Sequence, residues 1–158
     1  MDFSRELEQK VKEAIGAVPE AVASTAKRYF LERFSEKAFD GEPWQPWSKR
    51  YKPGRGTLLV QSGALRKSID IEEVGARRVV ITAGGDRVPY ARAHNEGFSG
   101  SVVVRTHERV SRKGKPYVVK QHTRKMLMPR RRFMGESREL ELLIRKDLEQ
   151  LFKNVMER

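Results

Sequence analysis

Apolar residues return at helical spacing near both ends of the chain and alternate with polar ones through its middle. Leu7, Val11, Ile15, Val18 and Val22 mark one helical stripe, and Ala26, Tyr29, Phe30 and Phe34 widen it. Pro19 falls inside this run. Proline lacks an amide donor and crowds the carbonyl four residues back, so the pattern predicts either a kink or two helices meeting near Val18. The helical signal stops at Phe39-Asp40-Gly41, a turn sequence with Pro43 behind it. Towards the other end, Leu140, Ile144, Leu148, Leu151, Phe152 and Val155 form a second stripe, which Ser137 is placed to cap.

Between the helices the period shortens. Ile69, Ile71 and Val74, then 78–83, read as two strands of an antiparallel hairpin joined at Gly75-Ala76. Ser62-Gly63-Ala64-Leu65 reads as a turn opening a short helix or bend. VPYARAHNEG reads as a short helical or irregular segment ending at Gly97. A second hairpin follows over about 101–125. Its arms carry nearly the same phrase, VRTHER in one and VKQHTR in the other, around Ser111-Arg112-Lys113-Gly114-Lys115. A turn centred on Lys113 sets His107 opposite Val119 and Val104 opposite His122; a slip of one residue would reverse every face. Helices at both ends around antiparallel hairpins predict an α+β fold, in one domain by length. The stretch 40–57 is loop-like, and Trp44 and Trp47 inside it are expected to pin it to the body.

Charge changes the picture of the second hairpin. The chain carries +12, and 101–132 holds eleven basic residues against the single acid Glu108, a net +10. The remainder is close to neutral overall. Such a concentration predicts a polyanionic partner, either nucleic acid or an acidic protein surface. The candidate contact residues are Arg105, Arg109, Arg112, Lys113, Lys115, Lys120, Arg124, Lys125, Arg130 and Arg131. Tyr117 alone is available within the segment for base stacking. The chain has no cysteine, which excludes disulfides and thiolate chemistry and suits a reducing compartment. No apolar run approaches the ~18 residues of a bilayer span, and the charged N-terminal stretch lacks a signal-peptide core, so a chain working in solution and away from membranes is expected.

Candidate catalytic patterns lose their necessary parts on inspection. His94-Asn95-Glu96 has the H-x-E order of zinc deaminases without the cysteines that complete it. Gln61-Ser62-Gly63 lacks the first glycine of a nucleophile elbow. The glycines of 52–57 do not continue into a phosphate loop. Asp70, Glu72 and Glu73 read as exposed strand charges. No enzyme, metal site or cofactor is expected.

Four phrases in order carry a resemblance. Asp40-Gly41-Glu42-Pro43-Trp44-Gln45-Pro46-Trp47 resembles a D-G-x-x-W-x-P phrase, and Ser62-Gly63-Ala64-Leu65-Arg66-Lys67-Ser68-Ile69 an SG-x-L-R-x-S-I phrase. Pro89-Tyr90-Ala91 with His94 and Gly97 resembles P-Y-A-x-x-H-x-x-G. Met128-Pro129-Arg130-Arg131-Arg132-Phe133-Met134-Gly135 resembles I-P-x-R-x-F-L-G. All four are phrases of the phage virion morphogenesis family of Mu-like phages and prophages. The resemblance implies a structural virion protein that completes the tail or neck so that head and tail join. It implies a location in the virion tail or neck, and in the host cytoplasm during assembly. It implies a homo-oligomeric ring, commonly a hexamer, that contacts other neck or tail proteins. It assigns structural roles to Trp44, Ser62, Gly63, Leu65, Ser68, Tyr90, Ala91, His94, Gly97, Pro129, Phe133 and Gly135. On this reading the basic hairpin is an assembly arm, docking on an acidic surface of a neighbouring subunit or ring or lining a DNA channel, where contact with DNA would be weak and sequence-blind. The alternative is a small basic nucleic-acid-binding module whose 101–132 segment tracks phosphates.

Overall fold

The apolar stripes at the two ends of the chain find each other. A computed structural model describes residues 3–49, 51, 54 and 56–157, and its longest elements are helices α1 (Phe3–Glu36) and α4 (Arg138–Met156). They pack antiparallel: Arg33 of α1 reaches Glu139 at the start of α4, while Thr25 and Arg28 reach Asp147 in its middle. The Arg28–Asp147 pair is exposed and adds little, whereas Arg33 is buried against part-exposed Glu139, so apolar burial does most of the holding. Pro19 does not divide α1, so of the two outcomes its position predicted, two separate helices is not the one found. Ala14 and Ala23, both fully buried on either side of it, keep the two halves in one element. The carbonyl that loses its partner belongs to exposed Ile15, where water can satisfy it.

The strands do not merge into one sheet. Among the described residues, antiparallel pairing comes as four separate two-stranded ladders. The first joins β1 (Ala38–Phe39) to β2 (Glu42–Pro43) around Asp40 and Gly41, both at positive φ (49° and 76°). Two successive left-handed residues make the mirror-image turn whose twist suits a tight hairpin, which is why Asp-Gly stands there. The second ladder pairs β3 (Asp70–Gly75) with β4 (Arg78–Thr82), as the alternation predicts, with a bulge between Ile71 and Glu73. This hairpin lies against α1 and closes the core with Ile69 and Ile81. Short helices α2 (Ala64–Lys67) and α3 (Ala91–Glu96) occupy the segment read as a turn opening a short helix or bend and the one read as short helical or irregular.

The remaining four strands form the basic hairpin. β5 (Phe98–Val104) pairs with β8 (His122–Met128), and β6 (His107–Val110) with β7 (Pro116–Val119). Val104 faces His122 and His107 faces Val119, the register that a turn centred on Lys113 requires. Ser111 closes that turn: its amide donates to the carbonyl of Lys115 (2.8 Å), its carbonyl accepts from Gly114, and its hydroxyl accepts from the Lys115 amide.

The core gathers Tyr29, Phe30, Phe34, Phe39, Trp44, Leu65, Ile69, Val88, Ala91, Phe133 and Leu140. Ser137 caps α4 by accepting from the Leu140 amide at 3.0 Å. Asp40 reinforces this cap, accepting from the amides of Arg138 and Glu139 and from the Ser137 hydroxyl. Tyr29 donates to Glu139 and Asp40 from below, and burial pushes its phenol up to about 12. Arg33 is fully buried, stacked 4.0 Å over the Tyr29 ring and paired with Glu36 and Glu139, so its charge is balanced inside the seam.

Candidate functional site

The four recurring phrases converge on one knot. The Trp44 indole donates to the Arg132 carbonyl at 2.6 Å, and its ring meets Phe34 edge-on with centroids 5.6 Å apart. Phe133, buried beside them, lies 5.3 Å from Phe34. Asn95 ties the third phrase to the fourth. Its side-chain oxygen accepts from the amides of Phe133 (2.9 Å) and Met134 (3.0 Å), and its amide nitrogen donates to the Met134 carbonyl. The His94 carbonyl accepts from the Arg131 amide at 2.8 Å. Ser68 secures the second phrase, donating to Leu65 and accepting from the Gly84 amide at 3.0 Å. Ser62 accepts from the Ala64 amide, Gly63 opens α2 at φ 76°, and Leu65 and Ala91 are buried.

Gly97 explains itself by space. It sits at φ 80°, and a Cβ there would meet the Arg130 amide nitrogen at 3.2 Å and the Met128 carbonyl at 3.3 Å. Any side chain would push the third phrase off the fourth. At Gly135 a Cβ would run into the Arg132 guanidinium at 2.6 Å, a flexible neighbour, so its φ of 131° is the stronger reason for glycine.

Arg131 parts company with the other cations of its segment. It is only 7% exposed, and its guanidinium donates to the carbonyls of Gln45 (2.8 Å) and Pro46 (3.2 Å). Grouped by charge with the outward contact residues, it instead staples the Trp44–Trp47 loop to the knot. Burial pushes its pKa down. Burial likewise lowers His94, and the Arg131 charge adds to that effect, so the imidazole is neutral at neutral pH. Tyr90 meets the His94 ring edge-on at 5.6 Å and is half open to solvent. Trp44 pins its loop as predicted. Trp47 is half-buried, lies against Tyr51, and with Pro129 lines an open groove.

The basic ribbon rises from this knot and shares none of its core. No residue of 98–128 is buried. Arg105, Arg109, Arg112, Lys113, Lys115, Lys120, Arg124 and Lys125 are all exposed, as is Arg130 at the foot. They do not share one face: Arg124 lies on the side of Phe98, Val102 and Met126, whereas Lys125 lies with Val103 and Leu127. Arg112, Lys113 and Lys115 crowd the tip.

The echoed phrases have a local meaning. Both arms leave the ladder at the same height, at Arg105-Thr106 and at Lys120-Gln121. Just beyond each break a histidine Nδ1 donates to the carbonyl two residues earlier: His107 to Arg105 at 2.8 Å, His122 to Lys120 at 2.9 Å. The Gln121 amide turns to the Thr106 hydroxyl. One break, built twice, divides the ribbon into a lower and an upper ladder.

Two of the acids considered for catalysis are engaged with neighbouring cations. Asp70 is paired with Lys27 and Glu73 with Arg78 on the exposed hairpin. No group of three or more His, Asp or Glu among the described residues is placed to hold a metal. The G-x-G stretch considered as a phosphate loop falls partly on 52, 53 and 55, outside the described residues. No helix among the described residues is long and apolar enough to cross a membrane. Asn95 and Arg33, which do much of the holding, carry no signal in the sequence beyond their polarity, and the turn residue Asp40 and the stripe residue Tyr29 give no sign there of their hydrogen bonds to the start of α4.

A helix-backed α+β body with a cationic, unburied two-stranded arm is the class of protein these features define. The model of the phage virion morphogenesis family matches residues 3–153, and the chain belongs to that family. Neither the curated proteins nor the solved structures yield a match.

Proposed function

We propose that the protein completes the phage tail or neck so that head and tail join, acting as a ring subunit whose basic ribbon docks on an acidic protein surface. The family supplies the setting, virion assembly. The ribbon supplies the observation that carries the reading. Its arms, which can reach roughly 40 Å at about 3.3 Å per residue, contain no fully buried residue. A two-stranded ribbon is marginal alone and needs a neighbour to lie against.

The ribbon's composition favours a protein as that neighbour over nucleic acid. Leu127 is 80% exposed, Val110 70% and Val103 60%, and these apolar residues alternate with the cations. A phosphate backbone offers one line of charge, whereas these cations point to both faces. An acidic surface with apolar patches matches both kinds of residue.

Head–tail joining by a phage carrying this protein is the test. Charge reversal at Arg105, Lys120 and Arg124 is expected to abolish joining, measured as infectious particles after complementation of a deletion. Normal yields would overturn the arm's role. Tight, steeply salt-dependent DNA binding by the wild-type chain would favour the nucleic-acid module instead.

A further inference from the structure

Past the end of α4, helix α1 runs on alone. The two helices meet at Thr25 and Asp147, and α4 ends at Met156, so its cover runs out about level with Gly16. Ala14 is fully buried there, and none of 3–13 is buried. Phe3 (77% exposed), Leu7 (44%), Val11 (36%) and Ile15 (58%) form an unbroken apolar ridge at four-residue spacing along this overhang. A lone helix of about a dozen residues is marginal in water, so such a ridge calls for a neighbour.

The charges beside the ridge say which neighbour. Over 3–15 three basic residues balance three acidic ones, so in a chain of +12 this stretch selects neither an acidic nor a basic surface. On one flank of the ridge Glu8 pairs with Lys12 at 2.6 Å, and on the other Glu6 pairs with Lys10 at 3.5 Å. Each flank reads acid first and base second. In an antiparallel pair of helices like flanks meet with their order reversed, so every acid falls beside a base. In a parallel pair the two flanks meet in the same order, and acid stands level with acid. The overhang is therefore complementary to its own reversed copy.

We infer that the N-terminal overhang of α1 pairs antiparallel with the overhang of a second copy, about a dyad level with Gln9. The dyad sets Phe3 beside Ile15 of the second copy and Leu7 beside its Val11, so each copy covers the other's ridge. Glu8 then stands beside the second copy's Lys12, and Glu6 beside its Lys10. The in-chain pairs are kept and become groups of four charges alternating in sign, so the apolar ridge holds the contact and the charges set its direction. Phe34, which meets Phe133 in the knot at the ribbon's foot, lies about 38 Å along the helix from Gln9, so the copies meet well away from that foot. Four ridge residues fall short of the ~800 Å² per partner of a standard interface, so pairing depends on concentration. A dyad closes on two copies, and the pairing stands apart from the ring reading.

Light scattering across concentration compares the wild-type chain with a Leu7→Lys, Val11→Lys variant. Both sites are exposed, so the variant should unfold at the wild-type urea midpoint. The wild-type chain should rise to twice the mass of the variant, whether the variant runs as a monomer of 18.3 kDa or as a ring. Equal masses at every concentration overturn the pairing and leave the ring reading, which rests on other surfaces. The absence of cysteine allows a second measurement, of direction. Phe3→Cys and Ile15→Cys proteins, mixed and oxidised, should give a disulfide-linked dimer. Phe3→Cys alone should give none, because its two thiols stand about 18 Å apart along the pair. A mixture that does not cross-link, or Phe3→Cys alone cross-linking as readily as the mixture, overturns the antiparallel contact.

Discussion

The knot and the ribbon adjoin in sequence at Gly97-Phe98 and at Pro129-Arg130 and hold together by opposite means. In the knot, Trp44, Asn95, Arg131 and Phe133 come from distant parts of the chain and satisfy one another within a buried volume. In the ribbon, every bond is to the facing strand or to the same arm, and nothing is buried. Two consecutive residues show the divide. Arg130 is exposed at the ribbon's foot, whereas Arg131 lies inside the knot and bonds two carbonyls. Equal charge therefore serves two ends, and burial decides which. A surface that carries so much charge without internal partners is free to meet another molecule; a buried network is not.

The sharpest break of the contrast is Phe133→Ala. Removing a buried aromatic from between Phe34 and the Trp44 loop should cost about 3–5 kcal/mol in urea unfolding, a large fraction of the ~5–15 kcal/mol that holds a domain folded. Asn95→Ala should follow at about 2–3 kcal/mol, since the amides of Phe133 and Met134 lose their acceptor in a partly buried site. Asn95→Asp, which keeps that acceptor but sets a carboxylate oxygen against the Met134 carbonyl, should recover only part of the loss.

Acid should act next, through Asp40. Burial opposes its ionisation, but hydrogen bonds from Ser137, the Glu139 and Arg138 amides and Tyr29 together hold its carboxyl below the usual range. A lowered folded pKa means stability that is full above the unfolded value near ~3.9 and lost as pH falls through the folded one. The urea midpoint should decline below about pH 4. Asp40→Ala should remove that part of the decline and cost about 1 kcal/mol at pH 7, the size of a lost helix cap.

The smallest effect on stability belongs to the ribbon. Reversing Arg105, Lys120 and Arg124 should move the unfolding free energy by less than about 0.5 kcal/mol, even as head–tail joining fails. A large loss of stability would mean that the ribbon packs on its own body, and the contrast would collapse.

Periodicity made the elements legible. The two end helices, the β3–β4 hairpin and the register of the ribbon all follow from apolar spacing and turn residues, because these are local and repeat. Ser137 as a cap and Asp-Gly as a tight turn were readable for the same reason. The ribbon's charge was readable too, but its assignment residue by residue was not: Arg131 looks like its neighbours until the carbonyls of Gln45 and Pro46 are placed around it. The family phrases named Trp44, His94 and Phe133 without saying what they touch. Asn95, which joins two of those phrases, lay unmarked between His94 and Gly97.

By itself the chain determined the two end helices, the β3–β4 hairpin and the register of the ribbon, but not the break that divides both arms of the ribbon at one height. Spacing, turn chemistry and charge act over a few residues and need no distant partner. Only the tertiary structure decided that the ladders stay separate, that α1 runs through Pro19, and that the end of α1 and the Trp47 groove are left uncovered. Those outcomes depend on which faces meet across long separations in sequence, and burial, which chooses between them, exists only once the chain has folded.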